Sequence, residues 1–117
     1  MRTLGLHHTA VNVEDLDEAL DFYVGVLGMH RRTDRPALRI DGAWLDTGQE
    51  QVHLVCGDVP PDHGQHIALL VEDLPAAVAE LGQAGYEVSP IVTIGSSIQA
   101  FLHDPSGNRV ELHQRVG

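Results

Sequence analysis

Three histidines and one glutamate in this chain are spaced as two copies of one pair. His8 and His53 are 45 residues apart, as are His66 and Glu111, and the second pair is the first moved by 58 positions. Three imidazoles and one carboxylate suit Zn²⁺, Fe²⁺, Ni²⁺, Co²⁺ or Mn²⁺, whereas Ca²⁺ and Mg²⁺ prefer cages of oxygen. Open positions on such an ion would hold water or substrate oxygens. A lone strand histidine is more often a hydrogen-bonded core residue than a ligand, and this chain has 8 histidines. Four donors at repeat-equivalent positions favour the metal. A three-ligand site of His8, His66 and Glu111 is the fallback, with His53 outside it.

The spacing belongs to a wider repeat. Laid over each other, HTAVNVEDLDEAL (8–20) and HIALLVEDLPAAV (66–78) match at His8/His66, Ala10/Ala68, Val13/Val71, Glu14/Glu72, Asp15/Asp73, Leu16/Leu74 and Ala19/Ala77. Val52-His53-Leu54 falls on Val110-Glu111-Leu112. A chain built this way is two copies of one supersecondary unit. Strand alternation puts Leu6, Ala10 and Asn12 on the face of His8, and sends His7 the other way. Gln51 and Val55 accompany His53, Ala68 and Leu70 accompany His66, and Arg109 and His113 accompany Glu111. An unpaired imidazole or carboxylate among apolar neighbours costs desolvation energy, which a shared cation would relieve.

The elements that must position these residues follow from pattern. Leu6–Val13 reads as a strand. Asp15 is the expected N-cap of a helix whose buried face is Leu16, Ala19, Leu20, Tyr23, Val24 and Leu27, stopped by Gly28. Met29–Asp34, Ala37–Asp41 (on through Leu45) and Gln51–Cys56 read as strands, with Asp41-Gly42 a hairpin or bulge signal. Gly57–Gly64 is a proline- and glycine-rich linker. The order then recurs: strand His66–Val71, helix Leu74–Ala84 ended by Gly85, and strands Tyr86–Pro90, Ser97–His103 and Arg109–His113. Asp104–Asn108 makes a tight turn between the last two. The expectation is an α+β chain of two βαβββ modules, 4–57 and 65–115, joined by 58–64 in one domain. Neither module buries its sheet face alone, so modules must pair within a chain or between chains.

Composition narrows the function. The formal net charge is −10, with 17 acidic and 7 basic residues. No basic stripe is present, so nucleic acid is not an expected partner. No apolar run is long enough to span a bilayer. Cys56 is the only cysteine. A reducing, cytoplasmic setting is the simplest reading, with no signal peptide expected ahead of the first strand. No organic cofactor is called for.

The segments HHTAVNVEDLDEALDFYVGVLGM (7–29), QVHLV (51–55), GQHIALLVEDL (64–74) and FLHDPSGNRVELH (101–113) together resemble the vicinal oxygen chelate superfamily. That group includes glyoxalase I, methylmalonyl-CoA epimerase, fosfomycin-resistance thiol transferases, extradiol dioxygenases and bleomycin-binding proteins. The resemblance implies paired βαβββ modules forming an open, cupped sheet around a divalent metal. It places His8, His53, His66 and Glu111 at the four ligand positions, and a homodimer as the usual assembly. The pattern is closest to glyoxalase I, but bacterial glyoxalases usually carry Glu where His53 stands. Where the glyoxalase first strand tends to hold an Arg for glutathione, this chain has Asn12, which leaves the cosubstrate open.

The expected activity is a metal-dependent lyase or isomerase acting on a small carbonyl compound or thiohemiacetal, with Glu111 as the base. Asn12, Gln99, Phe101 and His113 are candidates for substrate contact. For His113 a strand-end surface position competes with that role, and for Trp44 and Phe101 core packing competes. Fe²⁺ extradiol-type oxygen chemistry on His8, His66 and Glu111 is one alternative, and non-catalytic binding of a small molecule or antibiotic is another. Arg31, Arg32, Arg35 and Arg39 cluster in module one, where one of them could bind a substrate carboxylate.

Overall fold

The computed structural model describes residues 1–117 and divides into two compact units, Met1–Pro60 and Pro61–Gly117. The first contains strand β1 (Thr9–Val13), helix α1 (Leu16–Leu20) and strands β2 (His30–Arg31), β3 (Gly42–Thr47) and β4 (Glu50–Cys56). The second repeats that order with β5 (His66–Leu70), α2 (Leu74–Gln83), β6 (Val92–Ile94), β7 (Ser97–His103) and β8 (Arg109–Arg115). Each unit forms a four-stranded mixed sheet. Their orders are β1-β4-β3-β2 and β5-β8-β7-β6, with only the first pair in each parallel. The chain is α+β, as its sequence pattern requires.

Registers repeat as faithfully as the sequence does. Ala10 lies opposite His53 and Ala68 opposite Glu111, the same pairing moved by 58 residues. Asp15 and Asp73 start the two helices in the same way. The Asp15 carboxylate accepts from Glu18 N–H at 3.0 Å, and that of Asp73 from Ala76 N–H at 3.1 Å. Each cap is worth about 1 kcal/mol. Gly28 and Gly85 leave the helical region at φ +79° and +91°, the conformation a helix-terminating glycine supplies.

One face of each sheet is covered by its helix. Val13, Phe22, Tyr23, Leu45 and Leu54 are fully buried in the first unit, and Leu74, Leu102, Val110 and Leu112 in the second. After α1 the chain continues as a π-helical segment, Asp21–Val26, closed by Leu27 N–H on the Phe22 carbonyl at 2.8 Å. The wider turn lets the consecutive Phe22 and Tyr23 both face the core.

Several expected elements are revised. The β3–β4 hairpin turns at Gly48-Gln49, with Gly48 at φ +60°. Asp41-Gly42 is instead the entry to β3, where the Asp41 carbonyl accepts Cys56 N–H at 2.9 Å. Ala37–Asp41 is not a strand; Arg35 donates to the Ile40 carbonyl at 2.7 Å and folds the segment back. The strand expected over Met29–Asp34 shortens to His30–Arg31, because Arg32 forks onto Asp34 and ends it. Tyr86–Pro90 runs extended but outside the ladder. Pro90 has no N–H to donate, and the sheet's edge strand forms later, at Val92–Ile94. β1 starts at Thr9, so His7 and His8 precede the ladder and strand alternation does not govern them.

Candidate functional site

The uncovered face of the first sheet carries a stack of three rings. His53 lies between His8, parallel at 3.9 Å, and Trp44, parallel at 4.7 Å. The β3–β4 register sets Trp44 directly opposite His53. The Gln51 side-chain oxygen faces His53 Nε2 at 2.9 Å, so Nε2–H donates and Nδ1 of the neutral ring keeps a lone pair. Burial holds His53 below the ordinary histidine value, and positive charge at His8, His7, Arg32 and Arg35 pushes the same way. A neutral buried imidazole is the form a cation binds. His7 packs edge-on against His8, with their Nδ1 atoms 2.8 Å apart, instead of turning to the other side of the strand.

In the second sheet Glu111 is the centre. Its residue is 8% exposed, and its two oxygens are held from two sides. His66 Nε2 approaches Oε1 at 3.1 Å, and His113 Nδ1 approaches Oε2 at 2.8 Å. His66 Nδ1 meets the Gly64 carbonyl at 2.8 Å. Both nitrogens of His66 therefore face oxygens that accept, while a neutral imidazole has one N–H. One proton must sit in the Nε2···Oε1 contact, whichever partner carries it. A divalent cation can replace that proton, and the Gly64 carbonyl fixes the ring in the manner of an outer-shell partner of a histidine ligand.

The donor chemistry thus fits a transition metal, two donors at a time. His8 and His53 are brought together in one unit, and His66 and Glu111 in the other. No group of three or more His, Cys, Asp or Glu side chains is gathered for a metal in this structure. The desolvation argument holds for His53 and Glu111, both 8% exposed, but not for His8 and His66. His8 lies just before one edge strand and His66 at the start of another, and both are open to solvent.

The substrate candidates divide. Phe101 stands opposite Glu111 in register and meets His66 edge-on at 5.4 Å. Gln99 shares that face and pairs with His113. His113 is occupied by the Glu111 carboxylate, so its first role is to hold that group. Asn12 sits exposed on β1 and donates to the Asp58 carbonyl at 3.0 Å. Trp44 and Phe101 are not core residues, contrary to the packing role expected for them; both are half-buried beside a candidate ligand.

Sequence reasoning missed two partnerships. His103 Nε2 and Arg109 Nε both reach Asp62 Oδ2, at 2.8 and 3.1 Å, a contact across more than forty residues that no local pattern announces. Arg32 is committed to Asp34 and Asp46, so it is not a ready carboxylate receptor; Arg35 gives Nη2 to the Ile40 carbonyl, while its buried Nε has no partner. Burial pushes the Cys56 thiol up, and Asp41 adds to the shift, in keeping with its exclusion as a nucleophile.

The profile of the Glyoxalase/Bleomycin resistance protein/Dioxygenase superfamily matches residues 5–112. The chain belongs to that superfamily. Among curated members, the probable lactoylglutathione lyase of Synechocystis sp. is 34% identical over 124 residues, covering 93% of this chain and 94% of that protein. The crystal structure of a glyoxalase family protein from Enterococcus faecalis superposes with a TM-score of 0.79 at 26% identity, covering 94% of this chain and 97% of that one. TnmS3, an antibiotic binding protein from Streptomyces sp. CB03234, superposes with a TM-score of 0.74 at 25% identity, covering 97% and 99%. The superfamily thus includes both enzymes and binding proteins of this fold.

Proposed function

We propose that this chain is a metal-dependent lyase or isomerase of the glyoxalase type, acting on a small carbonyl compound or thiohemiacetal with two neighbouring oxygens. The observation that carries this reading is the Glu111 carboxylate, buried on an uncovered sheet face and held by His66 and His113. The kinship with proteins named lactoylglutathione lyase supports it. His8, His53, His66 and Glu111 would hold a divalent transition metal, two from each module, whether the modules pair within a chain or between two copies. The bound ion supplies Lewis-acid stabilisation of negative charge on the substrate oxygens.

The chain's own part is proton transfer. Glu111 takes the proton from the C–H beside the carbonyl and returns it to the neighbouring carbon. His113 keeps the carboxylate aimed through its 2.8 Å bond to Oε2. Phe101, opposite Glu111 in register and edge-on to His66, lines the same face. His53 stays neutral between His8 and Trp44, available as a donor.

The test is isomerisation of the adduct of methylglyoxal with glutathione, and with other thiols, by metal-reconstituted protein in D₂O. Wild type should form the thioester, and Glu111→Gln should lose about 10²–10⁴ in rate, the range of general acid–base catalysis. Full activity in Glu111→Gln refutes the assignment of the base. A second reading, binding of a small molecule without turnover, is favoured by the likeness to TnmS3. It predicts tight ligand binding with no product and no metal requirement. Oxygen consumption with a catechol would point to the Fe²⁺ alternative instead.

A further inference from the structure

The second unit holds a groove that the proton-transfer reading does not use. The extended segment Tyr86–Pro90 forms one wall, and Phe101, Leu102, His103 and Arg109 form the other, around about 680 Å³. That volume lies within the roughly 300–1,000 Å³ of small-molecule sites. The wall is fastened in place: Ser89 N–H donates to the Phe101 carbonyl at 2.9 Å, and Ser89 Oγ accepts Phe101 N–H at 2.8 Å.

Arg109 is the cation of this groove, and its orientation is fixed from behind. Its Nε donates to Asp62 Oδ2 at 3.1 Å, and its guanidinium lies 5.7 Å from the centre of the Phe101 ring. Asp62 is itself held in place: Gly64 N–H reaches Oδ1 at 2.9 Å and His103 Nε2 reaches Oδ2 at 2.8 Å. Asp62 engages only Nε, so the paired Nη edge of the guanidinium remains for a ligand. That planar edge matches a carboxylate through two parallel hydrogen bonds. Phe101, Val88 and Pro90 offer apolar surface beside it. Glu87 lines the same groove, and the chain carries a net charge of −10, so a ligand with one negative charge is admitted and a polyanion is not.

We propose that this groove binds the carboxylate of a small organic acid with an apolar body, on the Nη edge of Arg109. Arg109 and Glu111 share a sheet face two strand positions apart, roughly 7 Å along the strand. Resting on the reading of Glu111 as the base, this makes the substrate a carbonyl compound that also bears a carboxylate. The binding itself does not depend on that reading.

The test is an NMR titration of metal-free, ¹⁵N-labelled protein with phenylacetate, with its neutral counterpart phenylacetamide, and with inorganic phosphate. Phenylacetate should shift the amides of residues 86–90 and 101–109. It should bind about tenfold more tightly than the amide, the scale of one charge-assisted hydrogen bond at a half-exposed site. Folded Arg109→Gln should lose that preference, and Arg109→Lys should keep part of it. The proposal is overturned by equal affinity for acid and amide in wild type, by shifts confined to other residues, or by phosphate binding as well as phenylacetate. A preference retained in folded Arg109→Gln also overturns it, and if that variant does not fold the wild-type comparison decides alone. Metal uptake is measured separately. Its failure with phenylacetate binding intact removes the lyase reading alone, and the converse result removes only this one.

Discussion

Gly42 opens β3, and an alanine there should weaken the first unit measurably. A Cβ at this position would overlap the Leu54 carbonyl oxygen and lie 3.1 Å from Arg35 Nη2 and 3.3 Å from the Leu54 carbonyl carbon. An ordinary C···O approach is roughly 3.3–3.6 Å. The guanidinium can swing away, but the carbonyl cannot. Leu54 lies in β4 between β1 and β3, opposite Val11 on one side and Ala43 on the other, so the strand itself must shift. Overpacking of this kind costs about 1–3 kcal/mol, and the backbone origin favours the upper half. Stiffening the unfolded chain returns about 0.4–1 kcal/mol. The net loss is about 2 kcal/mol, or roughly 8–16 °C in melting temperature for a unit of this size. Because Leu54 adjoins His53, the stack of His8, His53 and Trp44 should loosen as well. The assay is thermal and urea denaturation followed by circular dichroism, with Gly82→Ala as the control. A Cβ at Gly82, inside α2, meets nothing within 4 Å, so that change should stabilise by about 0.5 kcal/mol. Gly42→Ala as stable as wild type, or Gly82→Ala equally damaging, would refute the packing argument.

Two further outcomes follow from titration. His53 is held below the ordinary histidine value by burial, so the unfolded chain binds that proton more readily. Its contribution is complete above about pH 6.5 and is lost as the pH falls through the lower folded value. His53→Gln should flatten the stability profile in that window, as read from urea midpoints across pH; an unchanged slope contradicts the burial argument. The bond from His103, the Gly64 N–H and Arg109 hold the Asp62 carboxyl down to about 2. Its stabilisation is present above the ordinary carboxylate value and fades as the pH falls toward 2. Asp62→Asn should therefore be weaker than wild type at neutral pH and converge with it in acid, and parallel curves would show that the charge plays no part.

Much of this chain was legible because it is written twice. The matched Asp15 and Asp73 caps and the Ala10–His53 and Ala68–Glu111 registers follow from one 58-residue shift, and the Gly28 and Gly85 stops fall one residue short of it. Legibility ended where the copies diverge. The segment between Arg32 and Asp41 is shaped by Arg32 on Asp34 and Arg35 on the Ile40 carbonyl, contacts without a counterpart in the other module. Parity along a strand told which side chains share a face, but not which are buried. His66 opens an edge strand and His8 comes just before one, so both stay open although His53 and Glu111 are buried. Ring stacking by Trp44 depends on the β3–β4 hairpin register, and the meeting of Asp62 with His103 and Arg109 on contacts more than forty residues apart. Composition and spacing carry no signal for them.

The central claim is that the two donor pairs serve one metal ion, and the direct measurement is metal content by mass spectrometry. Protein purified without a histidine tag should carry one transition-metal ion per chain, lost in His66→Ala, with the fold of the variant checked by circular dichroism. No metal in the wild type, and no uptake on reconstitution with zinc, nickel, cobalt, manganese or ferrous iron, would contradict the account and leave a ligand-binding protein on the same fold.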